Sequence, residues 1–258
     1  MKLLLLSYIL LFCYAGSFVS CRSSHATRSG HTLNLEVRDT HGNPELLGIC
    51  TEERLTRAPY DSWFVKNYND YTLDSATADQ LKGTLNGKSF VIFMGTWCGD
   101  SKREVPRIFK ILRYAGVAPS SVQLIMVSDA DSLYKQSPGH EEKGRDIFRV
   151  PDLIVLDHGR ELGRIIESPV VSLEKDLLSV TGGEAYQPHY GGAWALARLF
   201  RDKKTAWVRE HEPEVAAQLK PLVGFSGELV SYTRVLKAAG EGEKVAITLQ
   251  INALLFPQ

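Results

Sequence analysis

The hydrophobic positions of the chain change their period several times, and each period predicts a different element. Residues 89–94 form a largely apolar run of strand length, and residues 122–127 form a second one. Such runs are typical of strands that are covered on both faces of a sheet. Between them, apolar side chains recur at spacings of three and four, which predicts a helix with one face toward the core. These side chains are Val105, Ile108, Phe109 and Leu112.

A hairpin and a further helix follow the second strand. Asp152–Leu156 and Glu161–Ile166 flank the turn residues Asp157–Arg160, which predicts two antiparallel strands. Capping residues delimit one helix over Ser172–Val180 and another over residues 75–85. The element order predicts an α/β fold with a mixed central sheet flanked by helices, in which a parallel half joins a hairpin half.

These patterns divide the folded part of the chain into three blocks. Residues 31–74 form an N-terminal extension, where a loosely alternating edge strand over 31–38 precedes a segment with many turn residues and no clean period. Residues 75–183 hold the regular strands and helices and are expected to form the main domain. Residues 191–258 are helical in pattern and are expected to form an added layer or small domain.

The C-terminal block predicts helices over 193–201 and 205–219, followed by a helical hairpin. The hairpin weakly resembles one tetratricopeptide unit, although Thr233, Val245 and Asn252 depart from that unit's small-residue positions. The matching residues are Leu229, Tyr232, Leu236, Gly240, Leu249 and Pro257. Because such repeats normally need about three copies for stability, we expect a helical pair packed on the main domain.

The first 30 residues have the pattern of an export signal. A short basic start precedes an apolar run that is shorter than the roughly 20 residues of a membrane span, so residues 1–20 are expected to be a signal peptide. Ser20 before Cys21 resembles the end of a bacterial lipoprotein signal, with Phe18 in place of the usual leucine. The resemblance implies that Cys21 is lipidated and that residues 21–30 are a flexible tether.

This prediction places the protein across the inner membrane, lipid-anchored in the cell envelope and facing the periplasm. Two alternatives stay open: ordinary cleavage near Ser20 that leaves Cys21 free, and an uncleaved anchor. Under the leading prediction Cys13 and Cys21 are removed from the redox chemistry, so that Cys50 and Cys98 remain as thiols.

Composition excludes several classes of protein. The chain has 30 basic and 30 acidic side chains and a formal charge of zero, which argues against a nucleic-acid partner. Its four cysteines are too few for a disulfide-dense scaffold. The sequence has neither a glycine loop that would cradle phosphates nor a histidine pair at metal-ligand spacing, so we expect no cofactor and no metal.

The strongest chemical signal is Cys98, which lies where the first buried strand leads into the first long helix. Free N–H groups and the helix dipole favour a thiolate at that point. Trp97 adds a large amphipathic surface beside the sulfur, and Lys102 and Arg103 add positive charge in the first helical turn. Together these features favour a reactive sulfur over an inert core cysteine.

Several spaced features match those of a known superfamily. They are Trp97-Cys98-Gly99, Pro106 in the following helix, Val150-Pro151 before a strand, Asp157-His158-Gly159 in the hairpin turn, and Phe93. These features resemble the Trp-Cys-Gly motif, helix proline, cis-proline pair, turn and strand phenylalanine of the thioredoxin superfamily. The segments Gly95–Ser101, Arg103–Pro106 and Gly163–Glu167 are more closely similar to a subgroup of secreted bacterial lipoproteins. The resemblance covers about residues 75–183 and implies a thioredoxin-like fold.

Four positions depart from the family pattern. Ser101 stands where family oxidoreductases carry a second cysteine, and Ile92 stands where thioredoxins bury an acid. Asp100 replaces the usual proline or histidine and opposes thiolate formation, and Asp152 replaces a small hydroxyl residue. Because Ser101 can hydrogen-bond a thiolate but cannot resolve a mixed disulfide, the resemblance implies monothiol reduction or disulfide isomerisation.

The resemblance also assigns site residues. Cys98 is the expected exchange-competent sulfur, and Ser101 is expected to orient or hydrogen-bond it. The substrate groove is expected to contain Trp97, Gly99, Asp100, Val150 and Pro151. The implied partners are protein or low-molecular-weight thiols and disulfides. The competing hypothesis is a non-catalytic module whose groove and helical region bind a protein partner.

Cys50 is an alternative resolving thiol. It lies 48 residues before Cys98, in a segment, Leu47–Thr51, that the pattern marks as irregular. A disulfide would require Cα atoms within about 7 Å of each other. A buried small residue is the favoured interpretation of Cys50.

Overall fold

Side chains that alternate along the central strand face opposite sides of a sheet that is covered on both sides. The computed structural model describes residues 32–183 and 185–257, and six strands in this part form one mixed sheet. The strands are β1 (Leu35–Arg38), β2 (Pro44–Cys50), β3 (Lys88–Met94), β4 (Val122–Met126), β5 (Asp152–Asp157) and β6 (Arg160–Ile166). Their spatial order is β1-β2-β4-β3-β5-β6, with β3 and β4 parallel and the other neighbouring pairs antiparallel.

Helices flank this sheet and form the C-terminal part of the described chain. They are α1 (Glu52–Leu55), α2 (Asp61–Asp70), α3 (Ser75–Thr84), α4 (Gly99–Tyr114), α5 (Leu173–Gly182), α6 (Gly191–Lys203), α7 (Thr205–Glu210), α8 (Glu212–Leu219), α9 (Gly227–Ala238) and α10 (Gly242–Leu255). The predicted caps are present, since Asp74 accepts from the Thr77 N–H and Ser172 accepts from the Lys175 N–H. The helices predicted over 75–85 and 172–180 are therefore confirmed.

The apolar run of β3 is explained by burial on both faces of the strand. Phe90, Ile92 and Met94 pack in a core that also takes in buried side chains of α3, α4 and α5. Val91 and Phe93 point to the opposite face and pack in a second cluster that includes Val150. Because successive side chains of a strand alternate between faces, a strand buried on both faces needs apolar residues at consecutive positions.

The C-terminal helices share a core with the sheet. Buried side chains from α6 to α10 pack together with Phe148 and with Ile166 at the end of β6. The all-helical C-terminal region is confirmed, and so is the mixed sheet with flanking helices. This architecture is compatible with a thioredoxin-like fold.

The expectation that Leu47–Thr51 is irregular is wrong. Most of this segment belongs to β2, which lies between β1 and β4 in the sheet. Gly48 has a φ of +73° in the middle of the strand, and buried residues on β2 do not follow a strict alternation. The sequence therefore lacks the period-two pattern by which a strand is recognised.

The helix predicted over 205–219 is divided in two at His211. This residue has φ −123° and ψ 27°, so α7 ends before it and α8 begins after it. Pro213 lies in the first turn of α8. Backbone N–H groups there have no intrahelical acceptor, so proline, which has no N–H, costs the helix no hydrogen bond. The apolar spacing continues across the break, which explains why the pattern predicts one helix.

The predicted signal peptide over 1–20, the lipidation site Cys21 and the tether over 21–30 lie outside the described residues. Within residues 32–183 and 185–257, no helix has the length and apolar character needed to cross a membrane.

Candidate functional site

Cys98 lies at the junction of β3 and α4, as the sequence predicts. Its backbone is extended, with φ −82° and ψ 124°, and its carbonyl accepts the first helical hydrogen bond, from the Lys102 N–H at 3.0 Å. The side chain is partly exposed. Helix-terminal N–H groups have no intrahelical partner, and together with the helix dipole they favour negative charge on a sulfur at this position.

The proline loop lies directly opposite the sulfur. Cys98 Sγ donates to the Val150 carbonyl oxygen at 3.2 Å, and Val150–Pro151 is a cis peptide. The Pro151 carbonyl accepts from the Glu167 N–H at 2.7 Å, which fixes the loop to the end of β6. The structure thus brings Cys98, Val150 and Pro151 together, although 52 residues separate Cys98 from Val150.

Trp97 is held beside the sulfur by its own hydrogen bond. The indole Nε1 donates to the Val127 carbonyl at 2.9 Å, just beyond β4. Gly95 allows the ring to lie across the backbone, because a Cβ at that position would be 2.3 Å from Trp97 Cε2. The orientation of the indole therefore depends on a glycine that precedes it by two residues.

Ser101 is fully buried in the first turn of α4, and its Oγ accepts from the Gly95 N–H at 3.4 Å. This hydrogen bond connects the start of the helix to the end of β3. The other predicted groove residues lie toward solvent: Gly99 is exposed and Asp100 is partly exposed. Ser101 thus supports the turn that carries Cys98.

Arg103 carries its positive charge near the start of α4, as expected, but this charge is paired with neighbouring carboxylates. Arg103 pairs with Asp100 at 2.7 Å and with Glu104 at 2.5 Å, and these carboxylates raise its pKa. Glu104 is buried and also pairs with Arg107 at 3.3 Å. The guanidinium of Arg103 is therefore neutralised by its neighbours.

Lys135 supplies a positive charge that sequence reasoning missed. It lies in the polar segment after β4, where its N–H donates to the Ser128 carbonyl at 2.8 Å and the Ser128 N–H donates to the Gln136 carbonyl at 2.9 Å. This folded-back loop, with φ +58° at Lys135, directs the side chain inward. Its Nζ lies 4.7 Å from the centroid of the Trp97 ring and 4.5 Å from that of Tyr134. A lysine in a polar segment carries no periodic signal that would reveal such a position.

A polar cluster fixes the far side of the proline loop. Arg149 Nη1 lies 3.1 Å from Glu167 Oε1, and the guanidinium stacks 4.4 Å from the centroid of the Tyr190 ring. The Tyr190 hydroxyl donates to the same Glu167 carboxylate, and burial raises its pKa to about 12. These contacts join the segment that carries Pro151 to the beginning of α6.

Cys50 is distant from the candidate site. It is a buried free thiol whose pKa burial raises to about 12. It lines a cavity of about 410 Å³ together with Phe109 and Leu112 of α4. Leu112 lies 14 residues after Cys98, which corresponds to roughly 21 Å along a helix. This position matches the predicted buried small residue and separates Cys50 from Cys98 by far more than a disulfide spans.

In residues 32–183 and 185–257, no three side chains of histidine, cysteine, aspartate or glutamate converge as metal ligands would. The site is a partly exposed thiol between the start of α4 and a cis-proline loop, with the Trp97 ring and the buried Lys135 beside it.

No family model matches the chain, and no curated protein matches it. Among solved structures, a protein of unknown function from Pseudomonas aeruginosa is similar, with 17% sequence identity and a TM-score of 0.34. The similarity covers 49% of this chain and 76% of that one.

Proposed function

We propose that the protein is a thiol–disulfide exchange protein of the cell envelope that uses Cys98 as its single reacting cysteine. The observation that carries the proposal is the placement of Cys98 Sγ, partly exposed at the start of α4 and 3.2 Å from the Val150 carbonyl beside Pro151. A substrate sulfur that enters between Trp97 and the proline loop meets this thiol at the helix terminus.

The proposed reaction begins with two exchange steps. The Cys98 thiolate attacks a substrate disulfide, a new S–S bond forms, and the electron pair of the broken bond leaves on the other substrate sulfur as a thiolate. A second thiol then attacks the mixed disulfide and releases Cys98 as a thiolate. If that thiol belongs to the same substrate, the net result is isomerisation. If it is external, it is left in a disulfide with the substrate sulfur. A second external thiol then attacks this bond in a third exchange, the substrate sulfur leaves as a thiolate, and the two external thiols are joined as a disulfide.

The single-cysteine character of this mechanism is supported from two directions. Ser101 occupies the position of a second cysteine, and its hydroxyl has no redox chemistry. Cys50 lies near the other end of α4 and is buried. The resolving thiol therefore comes from the substrate or from a separate donor, which we propose to be a protein or low-molecular-weight thiol.

Membership of the secreted thioredoxin-like lipoproteins is part of the same proposal. In it, residues 1–20 direct export, a lipid on Cys21 anchors the chain, and residues 21–30 hold residues 75–183 and the C-terminal helices 191–258 away from the membrane. The support is the residue pattern of the N-terminus and of Gly95–Ser101.

Mixed-disulfide trapping tests the exchange activity. Envelope extracts are incubated with the protein, and exchange is stopped with acid. Free thiols are then alkylated, and the products are separated on non-reducing gels and identified by mass spectrometry. We expect disulfide-linked adducts on Cys98 that are absent from Cys98→Ser and retained in Cys50→Ser, which serves as the matched control. Adducts that survive in Cys98→Ser, or none with wild-type protein under oxidising conditions, would overturn the proposal.

A non-catalytic binding module is the second candidate, and the hydrogen bond from Cys98 Sγ to the Val150 carbonyl favours it. A carbonyl acceptor stabilises the protonated thiol and opposes the thiolate that exchange requires. If this candidate is right, Cys98→Ala retains the same protein partners in non-covalent pull-downs with unchanged affinity. Under the leading proposal, those partners are lost or weakened.

A further inference from the structure

Lys135 is a buried cation that lies beside the candidate site. Only 4% of the residue is exposed, and its Nζ contacts the faces of Trp97 and Tyr134 at 4.7 and 4.5 Å. Ring faces attract a cation but do not neutralise it as a carboxylate would. A desolvated ammonium held in this way needs a negative partner, because burial disfavours the charged form.

The ring that the ammonium contacts at 4.7 Å belongs to Trp97, the residue before Cys98, and no carboxylate in the described part of the chain forms an ion pair with Lys135. Burial lowers the pKa of Lys135 to about 8, and of the charges around it, negative charge on the Cys98 sulfur opposes this lowering most strongly. Glu167 contributes less and is already engaged with Arg149 and Tyr190. Arg149 and Arg234 also act on Lys135, and both repel it.

The fold keeps the ammonium in this place by constraints on both sides. The backbone of Lys135 is held by its two-way hydrogen bonding with the Ser128 region, and the indole of Trp97 is fixed by the Val127 carbonyl. Arg234 lies 3.8 Å from the Tyr134 ring centroid on the outer side and pairs with Asp131 at 2.9 Å. The lysine is therefore held against Trp97, beside the reacting centre, with no carboxylate of the described residues paired to it.

We propose that Lys135 is a positioning residue of the exchange reaction, whose ammonium stabilises Cys98 as a thiolate through the low-dielectric space beside Trp97. This inference rests on the proposed function and adds the source of the activating charge. Arg103 does not supply that charge, because Asp100 and Glu104 neutralise it. When the mixed disulfide forms, the sulfur loses its charge and Lys135 loses its counter-ion, and attack by the second thiol restores both.

The test measures Cys98 alkylation by iodoacetamide in a Cys50→Ser background, followed by intact-mass spectrometry from about pH 6 to about pH 9. An opposite charge near a titrating group commonly changes its ionised fraction by a factor of ten or more. We expect Lys135→Met to slow alkylation about tenfold at pH 7 and to shift the whole profile to higher pH. Lys135→Arg keeps the charge and is expected to stay within about threefold of the parent.

Lys102→Met is the matched control, because Lys102 lies in the first turn of α4, just after Cys98, but is partly exposed. Solvent screens exposed charges, so its effect is expected to remain under about threefold. An unchanged profile in Lys135→Met, or an equal loss in Lys102→Met, would overturn the inference. Circular dichroism of each variant establishes that the fold is intact.

A second measurement leaves position 135 untouched. NMR titration of the Lys135 Nζ is compared between Cys50→Ser and Cys50→Ser with Cys98→Ser, and loss of the thiolate is expected to lower the pKa of Lys135. An unchanged titration contradicts the inference. Failure of the proposed function is recognised separately, because trapping would then fail while the coupling of Lys135 to Cys98 persists.

Discussion

The buried carboxyl group of Glu45 is expected to make the folded protein less stable as the pH rises above about 4.5. This β2 residue is 5% exposed, and its Oε1 has no hydrogen-bond partner among the described residues. Burial, and after it the charge of Asp129, raises the pKa of Glu45 from 4.5 to about 7. Between these two values the folded protein keeps a proton that the unfolded chain has released. Stability is therefore lost as the pH rises through this interval.

The magnitude follows from the size of the pKa shift. At about 1.4 kcal/mol per pKa unit, a rise of this size corresponds to roughly 3 kcal/mol of unfolding free energy between about pH 4.5 and pH 7. Glu45→Gln has nearly the same shape but cannot ionise. We expect the variant to be more stable than wild type by up to about 3 kcal/mol at pH 8 and close to wild type at pH 5.

Urea unfolding at several pH values measures this difference, with the free energies obtained by linear extrapolation. Burial also raises the pKa of Asp152 to about 7, so wild type and variant share that contribution and their difference isolates Glu45. Glu53→Gln is the control, because the Glu53 side chain is 71% exposed. Equal slopes of stability against pH in wild type and Glu45→Gln would refute the reasoning.

Three further outcomes follow from contacts described above. Gly95→Ala places a methyl group against Trp97 Cε2, and we expect altered tryptophan fluorescence and a loss of about 1–3 kcal/mol in urea unfolding. Arg164→Met leaves Asp152 without its ion pair at 3.0 Å, and we expect a loss of about 3–5 kcal/mol that adding Asp152→Asn partly restores. Cys21→Ala is expected to move the protein from the membrane fraction to the soluble fraction, and unchanged fractionation would contradict lipidation.

The sequence predicts correctly those elements whose burial, on one face or on both, produces a regular spacing of apolar residues. β3 is buried on both faces and α4 on one, and both are recognisable from apolar spacing alone. The sequence does not reveal β2, because apolar residues stand at positions 46, 47, 49 and 50 around Gly48 and give no period of two. The break at His211 was missed because apolar spacing continues through it.

The residues of the candidate site likewise differ in whether the sequence alone could predict their position. Cys98 was predictable, because the junction of a buried strand and a helix places any residue there at a helix terminus. Lys135 was not, because its proximity to Trp97 depends on the path of an irregular loop and on a positive φ. The neutralisation of Arg103 depends on side-chain conformations, which residue spacing does not determine.

The contact between Cys98 and the Val150 carbonyl has a consequence for biosynthesis. Because 52 residues separate the two, the sulfur emerges from the ribosome well before the segment that faces it. Until that segment arrives, the Val150 carbonyl is not there to accept from the thiol. The order of synthesis therefore leaves Cys98 open to any oxidant in the compartment for longer than a cysteine whose contacts are local.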